Sequence, residues 1–191
     1  MTVSRPRGRP RSFDRDKALD VAMREFWRRG FDTVSVAELT GAIGITPPSL
    51  YAAFGDKASL FREVVARYQA TYGAFFGRAL AAEPTVREGV RRALRAAAVE
   101  YTNPEHPPGC LVFGAAVNYT TESAGIAEML REQRAANAEA LRLRIEAEGG
   151  PTRLAVLVAV VLEGMSQHAR DGATTEELLD VAEAAMLAWP G

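Results

Sequence analysis

Apolar positions recur three and four residues apart along almost the whole of this 191-residue chain, which is the spacing of an amphipathic α-helix. No segment shows the sustained alternation of a half-buried strand. Capping residues and glycine or proline breaks divide the pattern into about nine helices, expected over approximately 15–29, 36–42, 47–54, 57–80, 86–102, 110–119, 123–148, 152–170 and 175–188. The sequence therefore predicts an all-α protein, with a three-helix N-terminal head and a C-terminal helical body.

The two short helices predicted over 36–42 and 47–54 are typical of a helix-turn-helix, with Gly44 in the turn between them. In that motif the second helix enters the DNA major groove and its N-terminal residues go deepest. The candidate base-contacting residues are Thr46, Pro47 and Ser49, with Tyr51 just behind them. The pattern alone leaves open that this is a plain helical hairpin of the core.

Three runs in this region carry a more specific pattern: GFDTVSVAEL at 30–39, GIT at 44–46 and SLYAAFGDK at 49–57. Over about residues 12–62 they resemble the DNA-binding domain of the TetR/AcrR family. The resemblance implies that Thr33, Tyr51 and Lys57 hold DNA phosphates. It also implies a repressor that a small-molecule effector releases from a palindromic operator. Ala53 stands where many members have a histidine, so that contact is not expected here.

Lys57 is also unusual on its own terms, because a cation is poorly placed at the start of a helix. A phosphate bound there by backbone amides and Lys57 together would remove the conflict. The alternative is a solvated lysine without a DNA contact.

Charge is unevenly distributed although the net charge is only −1. Residues 1–57 contain ten basic and seven acidic side chains, whereas 58–191 carry a balance of −4. Arg7, Arg9 and Arg11 belong to an arm with no acidic residue, and its prolines and glycine keep it extended. Such an arm suits the narrow minor groove of AT-rich DNA, although a solvated tail would have the same composition.

These features predict a flexible basic arm at 1–11, a helix-turn-helix domain at 12–58 and a ligand-sensing and dimerisation domain at 59–191. The last two helices are the candidate homodimer interface, because the segment Leu154–Leu162 is apolar on nearly every side. A two-fold dimer reads a palindromic site in double-stranded DNA. The alternative is a monomer that buries these faces internally.

Aromatic residues are frequent in the middle helices, where a pocket could couple an effector to the head. The candidate effector residues are Tyr72, Phe76, Tyr101, Cys110, Phe113, Val117, Glu163, Gln167 and His168. A packed core is the alternative for the apolar members of this set. Cys110 begins a predicted helix, which lowers a thiol pKa and allows an oxidant- or electrophile-sensing role; the alternative is a small buried hydrophobe.

Other classes of protein have little support. With one cysteine and two histidines, the chain lacks the material for a metal cluster or a Cys/His catalytic set, and no Gly-rich phosphate loop is present. We therefore expect no enzyme, no cofactor and no metal. An architectural DNA-binding protein without an effector is the remaining rival, and the large acidic body argues against it. A lone cysteine and the lack of any long apolar run favour a cytoplasmic protein without a membrane segment.

Overall fold

The computed structural model describes residues 13–115, 120 and 123–189. Within these ranges the chain is helical and has no strand, which confirms the all-α prediction. It forms ten α-helices: α1 (Arg15–Arg29), α2 (Val36–Ile43), α3 (Pro47–Phe54), α4 (Lys57–Ala70), α5 (Phe75–Ala82), α6 (Val86–Tyr101), α7 (Leu111–Gly114), α8 (Ala124–Ala147), α9 (Arg153–Arg170) and α10 (Thr175–Met186). None of the helices described is both long and apolar enough to cross a membrane. The predicted site residues Arg7, Arg9, Arg11 and Val117 lie outside the described residues.

The helix predicted over 57–80 is interrupted, and this accounts for ten helices where about nine were expected. After α4 ends, the Thr71 hydroxyl donates to the carbonyl of Arg67 at 2.8 Å, and a 3₁₀ turn, Tyr72–Ala74, leads into α5. This turn passes so close to Tyr68 that a Cβ on Gly73 would lie 2.9 Å from the ring. The apolar periodicity continues through the break, so the sequence pattern did not reveal it.

The head is built around an aromatic cluster to which α1, α4 and the loop before α2 contribute. The Phe61 ring lies 5.0 Å from that of Phe26 and 5.1 Å from that of Phe31, in edge-to-face arrangements. Leu39 of α2 and Leu50 of α3 are fully buried beside it. Because edge-to-face aromatic pairs stabilise beyond their buried area, the two short helices rest on a rigid base.

The body is arranged around α6, which packs against α5, α9 and α10. The buried face of α6 repeats at helical spacing through Val90, Leu94 and Tyr101. Helix α8 packs on α9 and is anchored at its two ends, through the segments 126–130 and 141–145. Not one residue from 131 to 140, all of them described, is buried. The middle of α8 therefore spans a gap instead of filling the core.

Candidate nucleic-acid interface and effector cavity

The turn between α2 and α3 fixes the angle of the two helices. Gly44 adopts a left-handed conformation, with φ 77° and ψ 33°, which a residue with a Cβ adopts only with strain. The amides of Gly44 and Ile45 both donate to the carbonyl of Thr40, at 2.9 and 3.0 Å. The chain thus leaves α2 sharply and enters α3 with its first turn facing outward.

The loop before α2 is tied down by a reciprocal capping box. The Ser35 hydroxyl donates to a Glu38 carboxylate oxygen at 2.6 Å and accepts from the Glu38 amide at 3.2 Å. The hydroxyl of Ser35 and its amide, which donates to the same carboxylate at 2.8 Å, lower the pKa of Glu38, together with the guanidinium of Arg29, from its ordinary 4.5 to about 2. The exposed Thr33 donates its hydroxyl to the carbonyl of Arg29, so a phosphate contact by this group requires the hydroxyl to turn away from α1.

The outward face of α3 carries the predicted DNA-contacting side chains. Thr46 and Pro47 are exposed, and the Thr46 hydroxyl lies 3.0 Å from that of Ser49. Because Pro47 and Pro48 have no N–H, the first turn has few amide donors and its side-chain hydroxyls supply the hydrogen-bonding groups. Tyr51 is 50% exposed on the same helix. The opposite side of α3 buries Leu50 and Phe54.

The start of α4 differs from the sequence expectation. A carboxylate oxygen of Asp56 accepts from the amide of Ser59 at 2.6 Å, so the positive end of the helix is already compensated by an anion. A bound phosphate is therefore not needed to compensate the dipole of α4. The Lys57 ammonium lies 4.3 Å from the centre of the Phe31 ring. Burial lowers the pKa of Lys57, although neighbouring carboxylates, Asp32 first among them, act in the opposite direction.

A cavity of about 600 Å³ lies beneath α8, bounded by α4 to α7 and by α9. This volume suits a small organic molecule. Much of its wall is apolar or aromatic. Five of the predicted effector residues line it: Phe76, Tyr101, Cys110, Phe113 and Glu163.

Three other predicted effector residues do not line this cavity. Tyr72 lies on the turn between α4 and α5, and its ring packs edge-to-face on Trp27 with centroids 5.2 Å apart. Gln167 donates to Asp171 at 3.0 Å, and it and His168 are exposed. Both follow the cavity-lining part of α9 by about one helical turn. Tyr72 is outside the cavity wall because α4 ends before it. Gln167 and His168 are outside because Glu163 is the last described residue of α9 that lines the cavity.

The sequence analysis missed the contribution of α8 to the cavity. Arg131, Arg134 and Asn137 line it, together with small alanines of the same helix. These residues were not among the effector residues predicted from the sequence. The available signal was the absence of large apolar residues between Leu130 and Leu141, a gap of three turns in an otherwise periodic chain.

The comparisons with known proteins agree with this arrangement. Residues 18–64 match the family model for "Bacterial regulatory proteins, tetR family". The HTH-type transcriptional repressor ComR of Escherichia coli K12 is 34% identical over 198 residues, covering 98% of this chain and 94% of that protein. The chain belongs to the TetR family. Another repressor of the same organism, BdcR, is 35% identical over 182 residues, which cover 94% of this chain and 90% of BdcR.

Solved structures extend the TetR-family likeness from the head to the body. A cysteine mutant of the TetR-family regulator CifR, in complex with 26-bp double-strand operator DNA, is 43% identical with a TM-score of 0.90, covering 95% of this chain and all of that one. A second CifR cysteine mutant on operator DNA gives a TM-score of 0.91. The resemblance stated from the sequence is confirmed, and the helical body shares in it.

In this TetR-family regulator, the segment leading into α7 connects the cavity to the head. The Trp27 indole, at the end of α1, donates to the carbonyl of Gly109 at 3.2 Å. Arg170 of α9 donates to the carbonyls of Trp27 at 3.0 Å and Cys110 at 3.3 Å. The amide of Cys110 donates to the Ser166 hydroxyl at 2.8 Å. The segment before α7 is therefore hydrogen-bonded both to α1 of the head and to α9 of the body.

Close packing at this junction depends on a glycine. Gly109 has φ 73°, and a Cβ there would lie 2.5 Å from the backbone oxygen of Ser166. Any other residue would therefore be strained in its own backbone and would also clash with α9. The segment around Gly109 can therefore accept no side chain at this position without a shift of α9.

Cys110 does not have the setting of a reactive thiolate. It is buried, and burial raises the pKa of its thiol. The helix it precedes, α7, has only four residues, so it offers a weak dipole at best. The thiol-sensing alternative is therefore not favoured, and Cys110 acts as a small apolar part of the cavity wall.

Proposed function

We propose that this chain is a transcriptional repressor that binds a palindromic operator in double-stranded DNA as a homodimer. It leaves the operator when a small-molecule effector enters the cavity beneath α8. The observation that carries the proposal is the outward face of α3, where the hydrogen-bonded hydroxyls of Thr46 and Ser49 and a half-exposed Tyr51 lie at the surface of the helix-turn-helix. The operator complex of CifR, at 43% identity, supports it.

The proposed DNA contacts fall into two kinds. Contacts to base edges specify the sequence, and contacts to phosphates position the protein on any duplex. The first kind comes from Thr46, Pro47 and Ser49. The second comes from Thr33, Tyr51 and Lys57. Arg7, Arg9 and Arg11 add minor-groove contacts beside the site, on the strength of the sequence alone.

The homodimer forms through α9 and α10. Val156 and Val160 on α9 are 65% and 61% exposed, and Leu187, just after α10, is 87% exposed. Large aliphatic side chains on neighbouring helices form the apolar patch that a self-complementary interface requires. Two copies joined there carry two heads for the two halves of a palindrome.

Release of DNA follows from the position of the segment leading into α7. Cys110 and Phe113 line the cavity, and the backbone around Cys110 is tied to Trp27 of α1 through Arg170. An effector that fits better when α7 is displaced shifts the population towards that state, and the head then no longer matches the operator. Residues 59–191 thus serve effector binding and dimerisation. Because its target is the operator DNA, the protein acts in the cytoplasm. Its function requires no catalytic step.

The proposal is tested by selecting bound duplexes from a pool of random DNA at a fixed, stated salt concentration. We expect one enriched palindrome whose half-sites are spaced for a two-fold dimer. Recovery of random sequences with salt-sensitive binding only would contradict the proposal, because a basic surface alone gives that result.

A further inference from the structure

One arginine of the cavity wall has a buried nitrogen with no hydrogen-bond partner among the described residues. Arg134 lines the cavity, and its Nη1 atom is buried without any hydrogen-bond partner among the described residues. Its neighbour Arg131 also lines the cavity but is mostly exposed and forms an ion pair with Glu128. The two arginines of one helix are thus in opposite situations, one paired at the surface and one unpaired against the cavity.

The rest of the cavity wall offers Arg134 little compensation. The only carboxylate among the described lining residues is Glu163, which is exposed and forms no ion pair with Arg134 in the described part of the chain. A buried donor on a charged group is costly when it has no acceptor. Most of the remaining wall consists of aromatic and aliphatic side chains that cannot accept a hydrogen bond, among them Phe75, Phe76, Val158 and Leu162.

A second polar side chain of the cavity wall is Tyr68, on α4. The Tyr68 side chain is almost fully buried, and its hydroxyl makes no hydrogen bond of good geometry among the described residues. Its polar neighbours include the thiol of Cys110 and the backbone amide of Leu111; the thiol is a weak acceptor and the amide can only donate. The cavity therefore combines an apolar middle with a cationic donor on α8 and a neutral donor on α4.

We propose that the effector is an organic anion, with an apolar ring or branched body in the cavity and a carboxylate or sulfonate group bound to the Arg134 guanidinium. An oxygen acceptor on the body would take the Tyr68 hydroxyl. The anion supplies the acceptors that Arg134 lacks, and the apolar body fills the gap that the middle of α8 spans. This inference rests on the proposed function, since it names the chemical class of the effector.

Two dyes of nearly the same shape test the inference without knowledge of the natural effector. 1-Anilinonaphthalene-8-sulfonate carries a sulfonate, and N-phenyl-1-naphthylamine has the same rings without it. Both become fluorescent in apolar sites, so their affinities can be measured by titration of the full-length protein. Ala138→Trp, which places an indole in the cavity, identifies the signal that comes from this site, because the variant should lose it.

The decisive variant is Arg134→Gln, with Arg142→Gln as its matched control, because Arg142 lies on the same helix, is ion-paired to Glu139 and Glu146 and does not line the cavity. We expect Arg134→Gln to weaken the sulfonate dye about tenfold or more, as loss of a charge-assisted hydrogen bond does, and to leave the neutral dye within about twofold. Arg142→Gln should change neither affinity, and Arg134→Lys should retain part of the sulfonate affinity. Urea unfolding of each variant checks that the dyes report on the folded protein.

Three results would overturn the inference: an equal loss of both dyes in Arg134→Gln, no loss of either, or no binding of either dye in the cavity. Affinity of the same variants for the selected palindrome is measured separately. If DNA binding is absent in all of them while the dye pattern holds, the proposed function fails and the anion site stands. If DNA binding is normal and the dye pattern fails, the reverse applies.

Discussion

The head and the α8 side of the body are packed in opposite ways. The three helices of the head, α1 to α3, and the adjoining α4 place apolar side chains in one core, and Phe26, Leu39, Leu50 and Phe61 are fully buried. In α8, a stretch of ten residues from 131 to 140 has no buried side chain, although the helix is anchored at both ends. The head is close-packed, whereas residues 131–140 of α8 lie over a cavity.

This difference matches two physical requirements. A surface that reads DNA must hold its side chains in a fixed arrangement, because contacts to bases depend on distance and angle. A ligand site that controls a distant region needs an element with low local stability that can adopt two arrangements. The segment before α7 is hydrogen-bonded to α1 of the head and to α9, the helix on which α8 packs.

The largest effect is expected from breaking the head core. Phe61→Ala should lower the free energy of unfolding by about 3–5 kcal/mol, because it removes a fully buried ring. Phe76→Ala, on the half-buried cavity wall, should cost less than half as much. Urea denaturation measures both. Equal losses would contradict the contrast between a close-packed head and an open cavity.

The junction between the two regions is tested by Gly109→Ala, with Gly172→Ala as its control. Both glycines have positive φ, 73° and 98°, but only Gly109 has a backbone atom in the way of a Cβ. Gly172→Ala should cost about 1–2 kcal/mol for the backbone conformation alone. Gly109→Ala should cost more in the same thermal or urea unfolding experiment. If the two variants are equally stable, the close approach of α7 to α9 is not as described.

The division of DNA contacts is tested on the palindrome and on random duplexes. Tyr51→Phe and Lys57→Ala should weaken binding to both several-fold, or about 1 kcal/mol each, because they remove contacts to phosphates. Ser49→Ala should mainly change the sequence preference. Fluorescence anisotropy at fixed salt gives the affinities. Equal losses on specific and random DNA for all three variants would disprove this division.

The smallest effect concerns pH and the capping box of α2. The pKa of Glu38 in the folded chain is about 2, below its ordinary 4.5. Its stabilising contribution is therefore fully present above about pH 4.5 and is lost as the pH falls towards 2. Stability measured from pH 6 to pH 2.5 should fall more for the wild type than for Glu38→Gln. If the free energy of unfolding falls equally with pH in the two proteins, the ionised Glu38 side chain does not stabilise the head.

Much of the fold could be predicted from the sequence, because helix caps are local signals. The side chains of Ser35 and Thr85 cap α2 and α6 at the starts that the sequence pattern predicts, and Gly44 adopts the turn conformation that its place suggested. The break near Gly73 could not be predicted, since it depends on contact with Tyr68, a tertiary feature. In the site, the hydroxyl face of α3 was predictable from spacing, whereas the role of Arg134 depends on what lies beneath α8.

The most direct test of the central claim is the affinity for the selected palindrome of Ala138→Trp, compared with Ala136→Trp. Ala138 lines the cavity, and the neighbouring Ala136 is exposed and does not line it. The account predicts that the indole in the cavity acts as a built-in effector and weakens DNA binding about tenfold, within the usual range of coupling between two sites. Ala136→Trp should bind as the wild type does. Equal affinities of the two stably folded variants would contradict the claim that the cavity controls the head.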